Sequence, residues 1–453
     1  MLTVEDILKA SGGVLLQGNP TARIGELSID SRTIEKGDIF LAIKGERYDG
    51  HNFIAEALRK GAVGIVISRK IKVKGKESII YVGDTVKALQ DIAHFHRRKF
   101  EIPIVAIAGS NGKTTTKDIL SRIFSQRMKV LSSEKSFNNE IGVPLTLLRL
   151  SGEHQIAVME IEMNNRGGIS RLAALSRPTA GIITNTGHAH LRFFNSFDEI
   201  ASSRGELLET MGEDGISIVN VDDAKKDLFF RKAKGKVVTF GIKERADFQG
   251  KITKDSGWAT SFILNDAVEI KLSVPGHGNP YNALAAAAAA TVFGMSLEEI
   301  KRGIEKFRPS PMRMEILSKG TLKIINDAYN ANPESMKIAI NVLASVPARG
   351  RRVAILGDML ELGVWSNIAH RNVGKLLASS PIDVLVTVGN EAAHIAEEAS
   401  GHGKEVFICS TTEEAEKKIA RIIKSDDLIL VKGSRALQME KIVDVLSSLP
   451  IFN

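Results

Sequence analysis

The sequence predicts an α/β protein of three domains, and three observations carry that prediction. The chain has 453 residues, too many for one ordinary hydrophobic core, and a soft length rule gives about three domains. Residues 102–117, IPIVAIAGSNGKTTTK, read as a buried strand, a glycine loop and the start of a helix. Strand-like and helical patterns then alternate in two stretches, one opening at Ile102 and one near Pro311, which is the signature of parallel sheets. The expected organisation is a smaller N-terminal α/β domain over residues 1–100, a central P-loop domain on a parallel sheet over 101–310, and a C-terminal Rossmann-like, doubly wound domain over 311–453.

The opening residues MLTVEDILKASGG, with Glu5 and Asp6, read as a short amphipathic helix. They lack the basic start and apolar stretch of a signal peptide, so a cytoplasmic protein is expected. Strands follow at Ile39–Ile43, Ala62–Ile67 and Ser78–Gly83, with no nucleotide loop among them. In the second stretch, Ile104, Val105 and Ile107 suit a buried parallel strand, and Ile119, Leu120, Ile123 and Phe124 recur at helical spacing. Further strands are predicted at Ile156–Ile161, Ala180–Thr184 and Ser217–Asn220, with hairpin strands between Phe248 and Val274. The longest apolar run, Ala283 to Met295, falls short of the roughly 20 residues that cross a bilayer, so no membrane insertion is expected. The third stretch places strands at Lys323–Asn326, Arg352–Gly357, Asp383–Gly389, Glu405–Ile408 and Asp427–Gly433. No GxGxxG follows the first of them, which argues against a dinucleotide cofactor.

Composition narrows the function classes. Hydrophobic content of 43% and charged content of 25% are those of a globular, ordered chain. A net charge of +8 fits nucleic acid, anionic lipid or a phosphorylated small substrate. Aromatics at 5%, with no basic run interleaved among them, argue against nucleic acid. Cys409 is the single cysteine, so an internal disulfide framework and a multi-cysteine metal site are both excluded. Its apolar neighbours suggest a core position.

The glycine loop carries the chemistry. Gly109 and Gly112 let backbone amides of Ser110, Asn111 and Thr115 approach phosphate oxygens, Lys113 can reach the β and γ phosphates, and Thr114 can ligate Mg²⁺. The full GxxxxGK[ST] pattern would need glycine at Ile107, so the loop is a shortened variant, and a tight turn with a chance Gly-Lys-Thr is the bland alternative. Ligands of open parallel sheets gather at the carboxyl ends of strands. Glu160, chosen over Glu162, together with Asn185 and His190, is expected there. A carboxylate beside the loop threonine is a hard-oxygen set for Mg²⁺. In NDAYNANPESM (326–336), Asn332 fits a helix N-cap, Pro333 the N1 position and Glu334 the first turn. That leaves Asp327, Tyr329 and Asn330 unexplained. LGDMLELG (356–363), His370 and KGSRALQME (432–440) add polar groups in the third stretch.

Taken together, these segments resemble the Mur ligase family over essentially the whole chain. The resemblance rests on DSR (30–32), KGERYDGH (44–51), AGSNGKTTT (108–116), FNNEIGVPLTLL (137–148), NDAYNANPESM, LGDMLELG and KGSR (432–435). FNNEIGVP and YNANP are closest to the member type that adds D-alanyl-D-alanine to UDP-N-acetylmuramoyl-tripeptide. The resemblance implies an N-terminal domain for the UDP-sugar, a central ATPase domain and a C-terminal domain for the incoming amino component. It implies ATP and Mg²⁺, an acyl phosphate intermediate, and a monomer without nucleic-acid partners. By the same resemblance, Ser31 and Arg32 would contact the UDP moiety, and Lys44, Asn138, Asn139, Tyr329 and Asn332 would be further substrate contacts. Lys113 would meet the phosphates, Thr114 and Glu160 a first Mg²⁺, and His190 a second. Asn279 and Asn282 would lie on the adenine side, and Arg313 and Asp327 would reach the nucleotide from the closing domain. Lys432, Ser434 and Arg435 would belong to the C-terminal substrate region.

Four positions depart from the family pattern. Arg204 stands where a carbamylated lysine often helps to hold a second Mg²⁺; an arginine there can contact phosphate but cannot bind a cation. Glu162 replaces a common glycine, Gly278 a common histidine and His188 a common proline. The competing readings are another ATP-dependent amide ligase, such as a different Mur ligase or a folylpolyglutamate synthase, and a nucleotide-dependent binding protein. FNNEIGVP and YNANP argue against the first.

Overall fold

Three sheets, each with its own layers of helices, make up the protein; a computed structural model describes residues 2–45, 48–71, 75–134, 137–162, 165–187, 193–194 and 196–449. The N-terminal sheet contains β1 (Val14–Gln17), β2 (Leu27–Ser28), β3 (Ile39–Leu41), β4 (Gly64–Ile67) and β5 (Ser78–Tyr81). Its order is β1-β5-β4-β3-β2, parallel except for β1 against β5. The first helix, Val4–Ser11, starts at a capping box between Thr3 and Asp6 and ends at Gly12 in the left-handed region.

The central sheet holds β6 (Ile104–Ala108), β7 (Val130–Ser132), β8 (Ile156–Glu160), β9 (Ala180–Ile183), β10 (Ile216–Asn220), β11 (Lys236–Gly241), β12 (Phe248–Asp255), β13 (Thr260–Leu264) and β14 (Val268–Leu272). Its order is β14-β13-β12-β11-β10-β9-β6-β8-β7. The strands from β6 to β12 pair in parallel, and the β12, β13 and β14 pairings are antiparallel, as the hairpin reading expects. Strand β6 is buried on both faces. Val105 and Ile107 pack on the helices Lys113–Phe124 and Asn279–Val292, while Ile104, Ala106 and Ala108 face the side of Val143, Ile169 and Leu207. The alanine run, fully buried from Ala283 to Ala290, is thus a core helix whose small side chains admit close packing.

The third sheet comprises β15 (Glu315–Lys319), β16 (Leu322–Asp327), β17 (Arg352–Gly357), β18 (Val384–Val388), β19 (Glu405–Cys409) and β20 (Leu428–Lys432). Its order is β15-β16-β20-β17-β18-β19, parallel apart from β15. Two apolar clusters cover its two faces, as a doubly wound sheet requires, and Cys409 is buried in one of them. No helix among the described residues is long and apolar enough to cross a membrane.

Strands β1, β2, β7, β11 and β15 are not among those expected from the sequence. Of these, β1, β2, β7 and β15 lie at sheet edges, and β2 and β7 have only two and three residues. Half-exposed edge strands carry little of the apolar alternation that marks a strand in sequence.

Arg97 ties the end of the first segment to the central sheet. It is buried on the helix Thr85–Arg97, donating through Nε to the Ser176 carbonyl at 2.9 Å and through its Nη groups to the carbonyls of Phe100 and Ile102. Ser176 ends the helix Gly168–Ser176, where a cation also meets the negative end of the dipole. Arg97→Met leaves these carbonyls without donors, and calorimetric unfolding of the variant should show a loss of about 3 kcal/mol.

Candidate functional site

The site begins at the carboxyl end of β6, with β8 on one side and β9 on the other. This is the crevice where an open α/β sheet reverses direction and collects ligands. The loop from Gly109 to Gly112 can fold tightly because both glycines take positive φ, +139° and +83°. A Cβ on Gly109 would lie 2.0 Å from Thr184 Oγ1, and one on Gly112 would lie 2.1 Å from Asn282 Oδ1. Asn185, at the end of β9, braces the loop: its Oδ1 accepts from Asn111 N at 3.0 Å and its Nδ2 donates to Asn111 O at 2.9 Å. Ser110 Oγ accepts from Gly187 N at 2.8 Å.

Lys113 opens the helix Lys113–Phe124 and is buried. Its Nζ donates to Gly109 O at 2.7 Å and to Ser110 O at 3.3 Å, and pairs with Glu162 Oε1 at 3.0 Å. Thr114 Oγ1 donates to Glu160 Oε2 at 2.9 Å, and both residues are buried. Asn282 and Asn279 bond each other at 3.1 Å, with Asn279 Nδ2 on the Pro275 carbonyl at 2.7 Å.

The third sheet brings its own carboxyl edge to the same place. Pairing of β16 with β20 sets Asp327 opposite Lys432, and Lys432 Nζ lies 2.6 Å from Asp327 Oδ2 and 2.8 Å from Asn330 O. Asp327 Oδ1 accepts from Met314 N at 3.0 Å. Arg313 stacks over the Tyr329 ring at 4.1 Å, between Met312 and Met314, which both have positive φ. Such backbone strain at non-glycine residues clusters at functional sites. Asn332 caps the helix Pro333–Ser345, accepting from Ser335 N at 2.8 Å, while its Nδ2 donates to Asn111 Oδ1 of the loop at 3.1 Å.

Between the two edges lies a cavity of about 360 Å³. It is lined by the loop from Ser110 to Thr115, by Asn138, Glu160, Glu162, Asn279 and Asn282, and by Arg313, Asp327, Tyr329, Asn332, Lys432 and Arg435. Val274, Pro275, Phe307, Pro309 and Ile338 supply an apolar wall that is not legible in the sequence, because it gathers single apolar residues from separate loops and a helix face. The other sequence candidates lie off this cavity. Ser31 is buried and donates to Glu56 Oε2 at 2.8 Å, Arg32 forms an exposed pair with Asp30, and Lys44 is exposed. Asn139 Oδ1 accepts from Gly142 N, the first residue of the helix Gly142–Leu148, at 3.0 Å. Ser434 Oγ accepts from Leu360 N at 2.9 Å. His190 and His188 lie outside the described residues. Arg204 is fully buried on the helix Phe197–Thr210, with its guanidinium 3.5 Å from Glu162 Oε1. Burial works against its positive charge, and the carboxylates of Glu162 and Glu206 oppose that effect.

Comparison with known proteins now decides the family. Residues 107–290 match the Mur ligase middle domain, residues 312–435 the Mur ligase glutamate ligase domain, and residues 23–97 the Mur ligase family catalytic domain. The UDP-N-acetylmuramoyl-tripeptide–D-alanyl-D-alanine ligase of Bacillus subtilis is 34% identical over 99% of each chain. The chain belongs to the Mur ligase family. The enzyme of the same name from Escherichia coli is 35% identical over 93% of each chain. Among solved structures, MurF from Acinetobacter baumannii superposes with a TM-score of 0.90 at 32% identity, covering 98% of both chains. MurF ligase from Thermotoga maritima in complex with ADP superposes at 0.80, with 29% identity over 93% of this chain and 97% of that one. The Mur ligase cavity described here is the one the phosphate loop opens on.

His370 buttresses the LGDMLELG loop of this Mur ligase. It is fully buried, accepting through Nε2 from Met359 N at 2.9 Å with Nδ1 on the Ser366 carbonyl at 2.8 Å. Burial holds its imidazole below the ordinary value, so the unfolded chain takes up a proton that the folded chain refuses. The stability from neutral His370 is therefore full above about pH 6.5 and is lost as the pH falls below that value. Thermal unfolding measured between about pH 7 and pH 5 should fall more steeply for the native chain than for His370→Gln.

Proposed function

We propose that this chain is an ATP-dependent amide ligase that joins D-alanyl-D-alanine to UDP-N-acetylmuramoyl-tripeptide, releasing ADP and phosphate in peptidoglycan precursor synthesis. The observation that carries the reading is the single cavity in which the phosphate loop meets Arg313, Asp327 and Asn332 of the third sheet. The names of relatives that match it along nearly their whole length support the same activity. The reading places the enzyme in the cytoplasm as a monomer.

In this scheme the segment 1–100 holds the UDP-sugar, 101–310 binds ATP and 311–453 receives the dipeptide. ATP phosphorylates the terminal carboxylate of the tripeptide, and the dipeptide amine attacks the acyl phosphate through a tetrahedral intermediate, releasing phosphate. Lys113 and the loop amides offset the charge that builds on the transferred phosphoryl group. Asn279 and Asn282, beside the apolar wall, suit the adenine end. Lys432, ion-paired with Asp327, and Arg435, ion-paired with Glu440, line the side of the cavity that would receive the incoming dipeptide. Alignment of carboxylate, phosphate and amine by two facing sheet edges supplies the positional part of the rate.

Thr114 and Glu160 form a buried hard-oxygen pair of the kind Mg²⁺ takes, and they would hold the ion. Mg²⁺ takes one or two protein oxygens together with substrate phosphates and water, which would complete the shell. When bound, the ion supplies charge neutralisation at the phosphates.

ADP release measured with the tripeptide, with and without D-alanyl-D-alanine, tests the activity; release that is indifferent to the dipeptide would remove it. Lys113→Ala should abolish turnover in a folded protein, by about 100-fold or more. Arg32→Ala should weaken binding of the UDP-linked tripeptide far more than binding of ATP, and calorimetry showing equal losses for both ligands would contradict the assignment of the first segment.

A further inference from the structure

Glu162 has no role in the scheme above, yet its surroundings are closely fixed. It stands two residues beyond Glu160, and both carboxylates open on the cavity. Its backbone N–H donates to Asn138 O at 2.8 Å, and Asn138 Nδ2 reaches Oε2 at 3.4 Å. Oε1 lies between two cations, Lys113 Nζ at 3.0 Å and the Arg204 guanidinium at 3.5 Å. Lys113 and Glu162 line the cavity, whereas Arg204 is fully buried behind them.

Each member of this chain explains the next. A guanidinium does not shed its proton, so Arg204 at full burial requires an anion. Glu162 supplies it. A bare carboxylate beside a nucleotide triphosphate would repel it, but the Glu162 charge is offset by Lys113 in front of it and Arg204 behind it. The lysine side chain is among the most mobile in proteins, and ordering it before the substrate arrives removes that cost from the reaction.

We propose that Glu162 is a positioning residue for phosphoryl transfer: seated on Arg204, its carboxylate holds the Lys113 ammonium in the orientation in which it meets ATP. The inference rests on the ATP-dependent ligase reading. In the family pattern the two positions look like unrelated departures, and here they form one ion-paired device. Arg204 acts through Glu162 rather than on the phosphate itself, which replaces the expectation of a direct contact.

The test uses the full-length chain and two variants. Glu162→Asp keeps an anion for Arg204 but withdraws the carboxylate by one methylene, and Glu162→Gln combined with Arg204→Met removes both charges together. Both should unfold within a few degrees of the native chain, and kcat at saturating ATP should fall about tenfold to 100-fold. ATP affinity, measured by calorimetry without the tripeptide, should change less than kcat, and the Mg²⁺ concentration giving half-maximal rate should be unchanged. Native kcat in either folded variant would overturn the proposal, because the pair would then serve stability alone. A large shift in the Mg²⁺ requirement of Glu162→Asp would also overturn it by making Glu162 a metal ligand. If the double variant does not fold, the Asp variant decides. Failure of the ligase reading shows separately, as no dipeptide-dependent ADP release from the native chain.

Discussion

A buried ammonium is the group around which this site is built. Taking the Lys113 charge out of water costs several kcal/mol unless acceptors replace the lost hydration. Two loop carbonyls and the Glu162 carboxylate do so. Those carbonyls point inward only because the chain turns sharply at Gly109 and Gly112, and both turns press against neighbours that leave no room for a Cβ. Thr184 and Asn185 therefore have to follow β9, and Asn282 has to sit on the helix beside the loop. The order of β8, β6 and β9 in the sheet puts Glu162 beside the lysine on one side and sets Asn185 against the loop on the other.

The second constraint is the join between sheets. Asn332 uses its oxygen to cap the helix Pro333–Ser345 and its amide to reach Asn111. Capping fixes the side chain at little entropic cost, so the contact to the loop is made by a group that is already ordered. Asp327 and Lys432 are set by strand register in the same way, since a slip of one residue would turn one of them to the other face. The carboxyl edges of the two sheets thus meet through side chains that secondary structure has already oriented.

Much of this is legible in the sequence because local chemistry announces it. The β-branched run Ile104–Ala108, the glycine loop and the helical repeat after it are all short-range patterns, as are the N-cap and N1 positions at Asn332 and Pro333. The edge strands are not legible, because β7 and β15 gain their conformation from a neighbour rather than from their own alternation. The tie between Glu162 and Arg204 is illegible for a different reason. It joins the end of a strand to a distant helix, and only the packed fold brings the carboxylate to the guanidinium. Each residue alone reads as a departure from a pattern; as a pair they satisfy one electrostatic requirement.

Exposure separates the two kinds of ion pair in the chain. The Arg32 side chain is 82% exposed against Asp30, in high-dielectric surroundings where such a pair is weak and easily exchanged. An anionic ligand can take the guanidinium from Asp30 with little penalty, which suits a group that meets its partner from solution. The contact between Glu162 and Arg204 is of the opposite kind. With Arg204 at 0% exposure, the Glu162 carboxylate is one of the two, with Glu206, that offset the cost of burying its charge. A guanidinium held at full burial does not move into solvent with each turnover. The contact holds its geometry, and the lysine bound to Glu162 inherits that rigidity.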